Sequence, residues 1–176
     1  AGRVFVITYD NQLFALSAEN GGELWSHAGI AETAELLGGA APAVASGTVV
    51  VPYSSGELFA IAVESGRVLW MDSLSFQGAT GGLATLNDIK GDPVIDGGVV
   101  YAISNNGRLV AIDLRTGSRV WEQKVSGLQT PWLAGDFLYV LASEGELICV
   151  SREDGRIRWV SQLPRYADPE DQEEPI

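Results

Sequence analysis

The chain has 176 residues, of which 23 are acidic and 11 are basic, so its net charge is −12. This charge disfavours nucleic acids and anionic lipid surfaces as partners, because a phosphate-binding face needs clustered lysine and arginine. With one cysteine and one histidine, the chain has no internal disulfide framework and no zinc site built from those residues. Hydrophobic residues make up 46% of the chain, which also has 21 glycines, and this mixture is typical of short strands joined by tight turns.

A repeated pattern organises the chain. Four tryptophans lie 45, 51 and 38 residues apart, and each has a glycine four residues before it. A leucine stands twelve residues before each tryptophan, and two residues after that leucine comes alanine or cysteine. The spacing matches the length of one β-propeller blade. The repeated residues are Trp25, Trp70, Trp121 and Trp159, with Gly21, Gly66, Gly117 and Gly155.

Taken in chain order, the pattern predicts blades of four antiparallel strands joined by glycine-bearing hairpin turns. A partial first blade at 1–28 lacks its opening strand, and the later blades are predicted at 40–74, 91–125 and 128–163, giving fifteen strands in all. The first strand-like run begins at Arg3, so we expect the chain to be an excerpt of a longer one. Residues 164–176 are rich in Asp, Glu and Pro and are predicted to be an acidic linker or loop to a missing next blade.

The apolar runs are continuous rather than alternating, as at 49–51 and 58–63. Strands of this kind are covered on both faces, so the blades should stack face to face. In such a stack we expect each tryptophan to pack against the adjacent blade. The small residue of each repeat should lie where the sheets approach most closely. These small residues are Ala15, Ala60, Ala111 and Cys149.

The residues with catalytic potential all have structural explanations. His27 has no second histidine, and Cys149 occupies a position that otherwise holds alanine. Asp113 precedes a turn, where its carboxylate can accept hydrogen bonds from the turn amides. The sequence contains none of the common nucleophile, phosphate-binding or zinc-binding motifs. We therefore expect no enzyme activity, no metal and no cofactor.

The pattern G-x-L-x-A-[LI]-x-x-x-[ST]-G-x-x-[LV]-W, present at 56–70 and 107–121, resembles the repeat of pyrroloquinoline-quinone-type (PQQ-like) propellers. The stretches at 92–102 and 106–117 are similar to the propeller lipoproteins of the machinery that inserts β-barrels into the bacterial outer membrane. That resemblance covers essentially the whole chain. It implies an all-β, eight-blade, periplasmic scaffold at the outer membrane, held there by a lipid anchor and without catalysis, of which about four blades are present here.

The resemblance also implies a partner, the periplasmic POTRA region of the barrel-forming subunit. In the family, the turn A-[LI]-D-L-R-x-G is associated with this docking, and here it occupies 111–117. Leu114 and Arg115 carry over as partner-binding residues, together with Ile112, and an exposed leucine beside an arginine suits an interface. Alternatively, neither residue contacts a partner: Leu114 only ends a strand, and Arg115 is only an exposed side chain on a turn. Arg115 is the one basic residue at its aligned position, where the other copies hold Glu19, Glu64 and Glu153.

Two other functions share the repeat. One is that of a quinone-dependent dehydrogenase, which needs calcium-binding carboxylates and in many cases an adjacent cysteine pair that this chain lacks. The other is that of an extracytoplasmic sensing domain fused to a further segment. For the blades themselves, three arrangements are open: a small closed propeller, an open arc, or two copies paired in an eight-blade ring. The third hides both exposed blade faces, so it predicts a homodimer.

Overall fold

The computed structural model of the chain describes residues 2–30, 39–75 and 89–164. Within these ranges fifteen strands form four antiparallel sheets, and no helix long and apolar enough to cross a membrane is found there. The prediction of an all-β chain of antiparallel blades is therefore confirmed. The predicted acidic linker at 164–176 lies, apart from its first residue, outside the described residues.

Each sheet consists of strands that follow one another in the chain and pair in that order. The first blade has three strands, β1 (Arg3–Ile7), β2 (Gln12–Ser17) and β3 (Glu23–Ala28). The second blade contains β4 (Ala43–Ala45), β5 (Thr48–Pro52), β6 (Glu57–Ala62) and β7 (Val68–Ser73). The third contains β8 (Val94–Asp96), β9 (Val99–Ile103), β10 (Leu109–Asp113) and β11 (Arg119–Gln123). The fourth contains β12 (Trp132–Ala134), β13 (Phe137–Leu141), β14 (Glu146–Ser151) and β15 (Ile157–Gln162).

The hydrophobic core lies between the blades rather than within one of them. Strand β5 is buried along its whole length because its alternate side chains face two different neighbours. Val49 and Val51 pack in one cluster with Leu13 of the first blade. Val50 packs in another cluster with Val100 of the third blade. This two-sided packing explains why the apolar runs are continuous.

A small buried residue lies opposite each tryptophan on the neighbouring strand. The structure leaves these small side chains at most 2% exposed. In all four sheets a β-bulge directly follows the pair. Because a bulge redirects a strand locally, its recurrence at one place gives the four tryptophans equivalent positions. The pairs are Ala15 with Trp25, Ala60 with Trp70, Ala111 with Trp121, and Cys149 with Trp159.

Three tryptophans join their blade to the next through one kind of contact, which we call the indole–glycine junction. The indole N–H of Trp70 donates to the carbonyl of Leu114 at 2.7 Å. A Cβ at Gly117 would lie 2.6 Å from the Trp70 side chain, too close for two carbon atoms, so only glycine fits beneath the ring. The predicted packing of tryptophan against the adjacent blade is confirmed here. The other two junctions join Trp25 to Val63 and Gly66, and Trp121 to Arg152 and Gly155, with N–H to carbonyl distances of 3.0 and 2.8 Å.

Hydrogen bonds also link the starts of the second, third and fourth blades. The backbone N–H of Ala41 donates to Oδ1 of Asp92 at 2.6 Å, and the N–H of Asp92 donates to Oγ1 of Thr130 at 2.9 Å. Gly91 lies against the carbonyl of Gln129, where an added Cβ would stand 2.5 Å from the oxygen. The second blade is therefore joined to the third, and the third to the fourth, where each blade begins.

A polar pair of a buried tyrosine and a half-buried histidine lies between the first and second blades. Tyr53 is fully buried, its hydroxyl lies 2.8 Å from Nδ1 of His27, and the two rings are stacked with centroids 5.9 Å apart. Burial lowers the pKa of His27 below its usual 6.5, and the carboxylate of Glu57 acts in the opposite direction. The folded protein therefore favours the neutral imidazole.

We expect Trp121→Ala to lower the free energy of unfolding by about 3–5 kcal/mol, because it empties one junction and leaves the carbonyl of Arg152 without its donor. Val120→Ala is the matched control on the same strand. Val120 is 52% exposed, so its truncation should change stability by less than about 0.5 kcal/mol. Chemical denaturation followed by circular dichroism measures both. Equal stability of the wild type and Trp121→Ala would contradict the junction.

The folded protein should lose stability as the pH falls through 6.5. His27 is the only histidine, and its pKa is lower in the folded state, so below 6.5 the unfolded chain binds more protons. The free energy of unfolding should decline between about pH 7.5 and 5.5, and His27→Gln should remove this part of the decline. Denaturation curves of both proteins at the two pH values provide the test. If the wild type and His27→Gln lost the same unfolding free energy between the two pH values, other titratable groups would be responsible.

Candidate docking turn of the third blade

One aspartate closes the turn between β10 and β11. Oδ1 of Asp113 accepts hydrogen bonds from the backbone N–H of Thr116 at 2.7 Å and from its hydroxyl at 2.8 Å. The N–H of Gly117 donates to the carbonyl of Asp113 at 2.9 Å, and the φ of +74° at Gly117 is one that glycine adopts readily. The interpretation of Asp113 as a residue that satisfies turn amides is confirmed.

The same hydrogen bonds hold the pKa of Asp113 below its usual value. The hydroxyl of Thr116 contributes most, its backbone N–H comes next, and the positive charge of Arg115 adds to both. The carboxylate is therefore ionised at neutral pH, and hydrogen bonds to an ionised acceptor are stronger than those to a neutral one. As a result, Arg115 projects from a backbone that is already fixed.

Leu114 is not the exposed anchor that the sequence suggested, and that expectation is wrong. Its side chain is only 6% exposed and belongs to the core between the second and third blades. The cause is Trp70, which packs in the same cluster and donates its indole N–H to the Leu114 carbonyl. Ile112 is fully buried in that cluster as well. Neither side chain offers a surface to a partner in the folded blade.

Arg115 is the residue of this turn that reaches solvent with a charge. It is exposed, and it forms no salt bridge with any residue in the described parts of the chain. The corresponding turn of the second blade carries Glu64, which pairs with Arg3 at 2.7 Å. Within the part of the chain that the structure describes, the third blade therefore presents an arginine without a salt bridge where the second blade presents a glutamate paired with Arg3.

Each of these turns is fastened to the opening hairpin of its own blade. In the third blade the N–H of Leu114 donates to the carbonyl of Gly98 at 2.9 Å. The second and fourth blades repeat the bond from Val63 to Gly47 and from Arg152 to Asp136. The two hairpins of a blade therefore share one rim, and Arg115 stands on it.

A groove of about 530 Å³ opens on this rim between the third and fourth blades. Arg152 lines it with its guanidinium 5.6 Å from the centre of the Tyr101 ring, and donates to the carbonyl of Gly135 at 2.8 Å. It also forms an ion pair with Asp96 of the third blade. The sequence did not single out this residue, because it occupies a variable position of the repeat and only its charge distinguishes it.

The described residues do not fit the metal of a quinone-dependent dehydrogenase. Within residues 2–30, 39–75 and 89–164, no three His, Cys, Asp or Glu side chains are placed to hold a metal ion. The carboxylate set that calcium would need is thus not present in this part of the chain.

Comparison with known sequences identifies relatives along nearly the whole chain. A model of the PQQ-like family, described as outer membrane protein assembly factor BamB, matches residues 1–161. Proteins of that name from Moranella endobia and Yersinia pestis are 27% and 30% identical over 158 residues. Both alignments cover 90% of this chain but 41% and 40% of the relatives, so the chain spans about two fifths of their length.

Solved structures share the fold. The crystal structure of BamB from Moraxella catarrhalis has a TM-score of 0.84 at 24% identity, covering 92% of this chain and 49% of that one. Quinohemoprotein alcohol dehydrogenase from Comamonas testosteroni has a TM-score of 0.73 at 15% identity, covering 92% of this chain and 33% of that one. At such identities the likeness shows the propeller architecture and not an activity. On the match over residues 1–161 and the four repeated blades, the chain belongs to the family of outer membrane protein assembly factor BamB.

Proposed function

We propose that the chain is part of a non-catalytic scaffold in the machinery that assembles β-barrel proteins in the outer membrane. The family match over residues 1–161 carries this proposal, and the curated relatives are named as assembly factors. As the family resemblance implies, the full-length protein would act in the periplasm, attached to the outer membrane by a lipid anchor. The described surface supports a scaffold role, because its distinctive features are turn side chains and apolar blade faces suited to protein contact.

The proposed partner is the POTRA region of the barrel-forming subunit, and the proposed contact on this chain is Arg115. The turn is fixed before binding by Asp113, so little backbone entropy is lost on docking. A guanidinium without a salt bridge among the described residues is able to bind a partner carboxylate through two hydrogen bonds. Leu114 and Ile112 would support the turn from the core.

A second copy of this chain is a further proposed partner. The second strands of the inner blades, β5 and β9, are buried or nearly so, whereas the first and fourth blades leave apolar side chains of the aligned strands β1 and β13 exposed. Examples are Val4 at 47% and Leu141 at 39%. Pairing of these faces in a homodimer would cover both.

Charge reversal at Arg115 should weaken POTRA binding. We expect Arg115→Glu to raise the Kd about 10- to 100-fold, because it removes a charge-assisted contact and adds repulsion toward a carboxylate. The matched control is Arg67→Glu, an exposed arginine on the corresponding turn of the second blade. Interferometry with purified POTRA domains measures both. Equal weakening by the two variants would indicate a general charge effect and contradict Arg115 as the contact.

Leu114→Ala should lower the stability of the fold and leave POTRA binding nearly unchanged. We expect it to lower the free energy of unfolding by about 2–5 kcal/mol, because it leaves a cavity beside Trp70. Binding of the folded variant to POTRA should change less than about 3-fold, since the side chain is buried. Thermal melts and the same binding assay separate the two effects. A large loss of affinity without a loss of stability would restore Leu114 as a direct contact.

A further inference from the structure

One arginine crosses the boundary between the third and fourth blades, on the rim that carries Arg115. Arg152 lies in the turn between β14 and β15, and its guanidinium forms an ion pair with the carboxylate of Asp96 on β8 of the third blade. The guanidinium also donates to the carbonyl of Gly135 at 2.8 Å, and its Cζ lies 5.6 Å from the centre of the Tyr101 ring. These contacts hold the guanidinium in one place, so the ion pair has a defined geometry.

Asp96 begins a hairpin whose tip has no side chains. The hairpin joins Asp96 to Val99 through Gly97 and Gly98, whose φ values are +56° and +78°. A Cβ added at either glycine would meet nothing within 4 Å, so the tip lies in open space. Because glycine has more backbone freedom to lose than any other residue, such a tip depends on the residues at its base. Asp96 is one of these residues.

The same hairpin holds the turn of Arg115. The backbone N–H of Leu114 donates to the carbonyl of Gly98 at 2.9 Å. Arg115 is the next residue, so this bond restrains the backbone directly before the exposed guanidinium. A continuous series of contacts therefore runs from Arg152 of the fourth blade, through Asp96 and its hairpin, to the turn of Arg115.

The boundary between the second and third blades is apolar at the equivalent place. Ala45 takes the position of Asp96 at the start of the hairpin, and Leu114 takes the position of Arg152. Ala45 packs against the apolar cluster that contains Leu114. Apolar contact has no preferred direction, whereas a guanidinium and a carboxylate meet in a defined orientation. Across this pair of boundaries, the ion pair therefore holds the hairpin of the blade that carries Arg115.

We infer that Arg152 is a positioning residue for partner docking: through Asp96 it holds the opening hairpin of the third blade, and that hairpin holds the turn of Arg115. The inference rests on the proposed docking at Arg115 and adds a residue that acts without touching the partner. A turn that is held before binding loses less conformational entropy on docking. Release of the hairpin should therefore weaken the complex although the guanidinium of Arg115 is still present.

Amide hydrogen exchange of the 176-residue chain, followed by NMR without a partner, tests whether Arg152 holds the turn. Arg152→Met keeps an apolar stem over Tyr101 and removes the guanidinium. It should speed exchange at the Leu114 N–H about 10-fold, because the carbonyl that accepts this N–H is then less restrained. The N–H of Val63 makes the same bond in the second blade, to Gly47, and its exchange should not change.

Arg156→Met is the matched control for this experiment. Arg156 lies in the same blade and pairs with Asp154 inside its own turn, so the substitution removes the same charge without touching the third blade. It should leave exchange at Leu114 unchanged. An unchanged rate at Leu114 in Arg152→Met would overturn the inference. An equal increase at Leu114 and Val63 would also overturn it, because that result indicates a general loss of stability.

Interferometry with purified POTRA domains, under conditions in which denaturation curves show every variant to be folded, tests the effect on docking. Arg152→Met and Asp96→Asn should each raise the Kd about 5- to 10-fold, and the double variant should raise it no further, because both substitutions break one ion pair. Arg156→Met should have a smaller effect than either. Tighter binding by Asp96→Asn would show that a released Arg152 meets the partner directly, and would overturn the positioning role.

The two measurements separate this inference from the proposed function. If the wild-type chain does not bind POTRA, the proposed function is contradicted and the positioning role falls with it, whatever the exchange rates show. If binding is lost in Arg115→Glu but kept in Arg152→Met, the inference is overturned and docking at Arg115 stands.

Discussion

The contact between an indole ring and a bare glycine sets the position of each blade on the next. Apolar sheets attract one another without a preferred register, because the hydrophobic effect has no direction. A hydrogen bond is directional, and the one from the indole N–H of Trp70 to the Leu114 carbonyl requires a defined alignment of the two sheets. The missing Cβ at Gly117 leaves the space that the ring occupies. Burial supplies the energy of stacking, and this contact selects the geometry.

The repeat in the sequence was sufficient to predict the blades, because strands, turns and bulges depend on residues close together in the chain. It was also sufficient to predict the tryptophan contact, which Trp25, Trp70 and Trp121 make in the same way. It was not sufficient for Leu114, whose burial is decided by a tryptophan 44 residues earlier. One signal was present, however: Val63, at the aligned position of the second blade, is also apolar and also buried.

The candidate docking turn illustrates why a shared framework does not determine function. Assembly factors and quinone-dependent enzymes place the same sheets at similar positions, with 15% identity to the dehydrogenase from Comamonas testosteroni. Proteins that share this fold differ in function through side chains that the fold does not constrain. Arg115 is proposed to be such a residue, because its backbone is fixed by Asp113 while its side chain is exposed. The sequence identified it by its charge alone.

The single cysteine gives the fourth blade a property that its neighbours lack. Cys149 is 2% exposed and lies directly opposite Trp159, in the place where the other blades have alanine. A thiol reagent can reach its sulfur only when the sheet separates locally, because thiol reactivity requires access. The rate at which this thiol is labelled therefore reports how often the fourth blade opens locally. Labelling of this one thiol thus measures the local stability of the fourth blade separately from that of the other three blades described here.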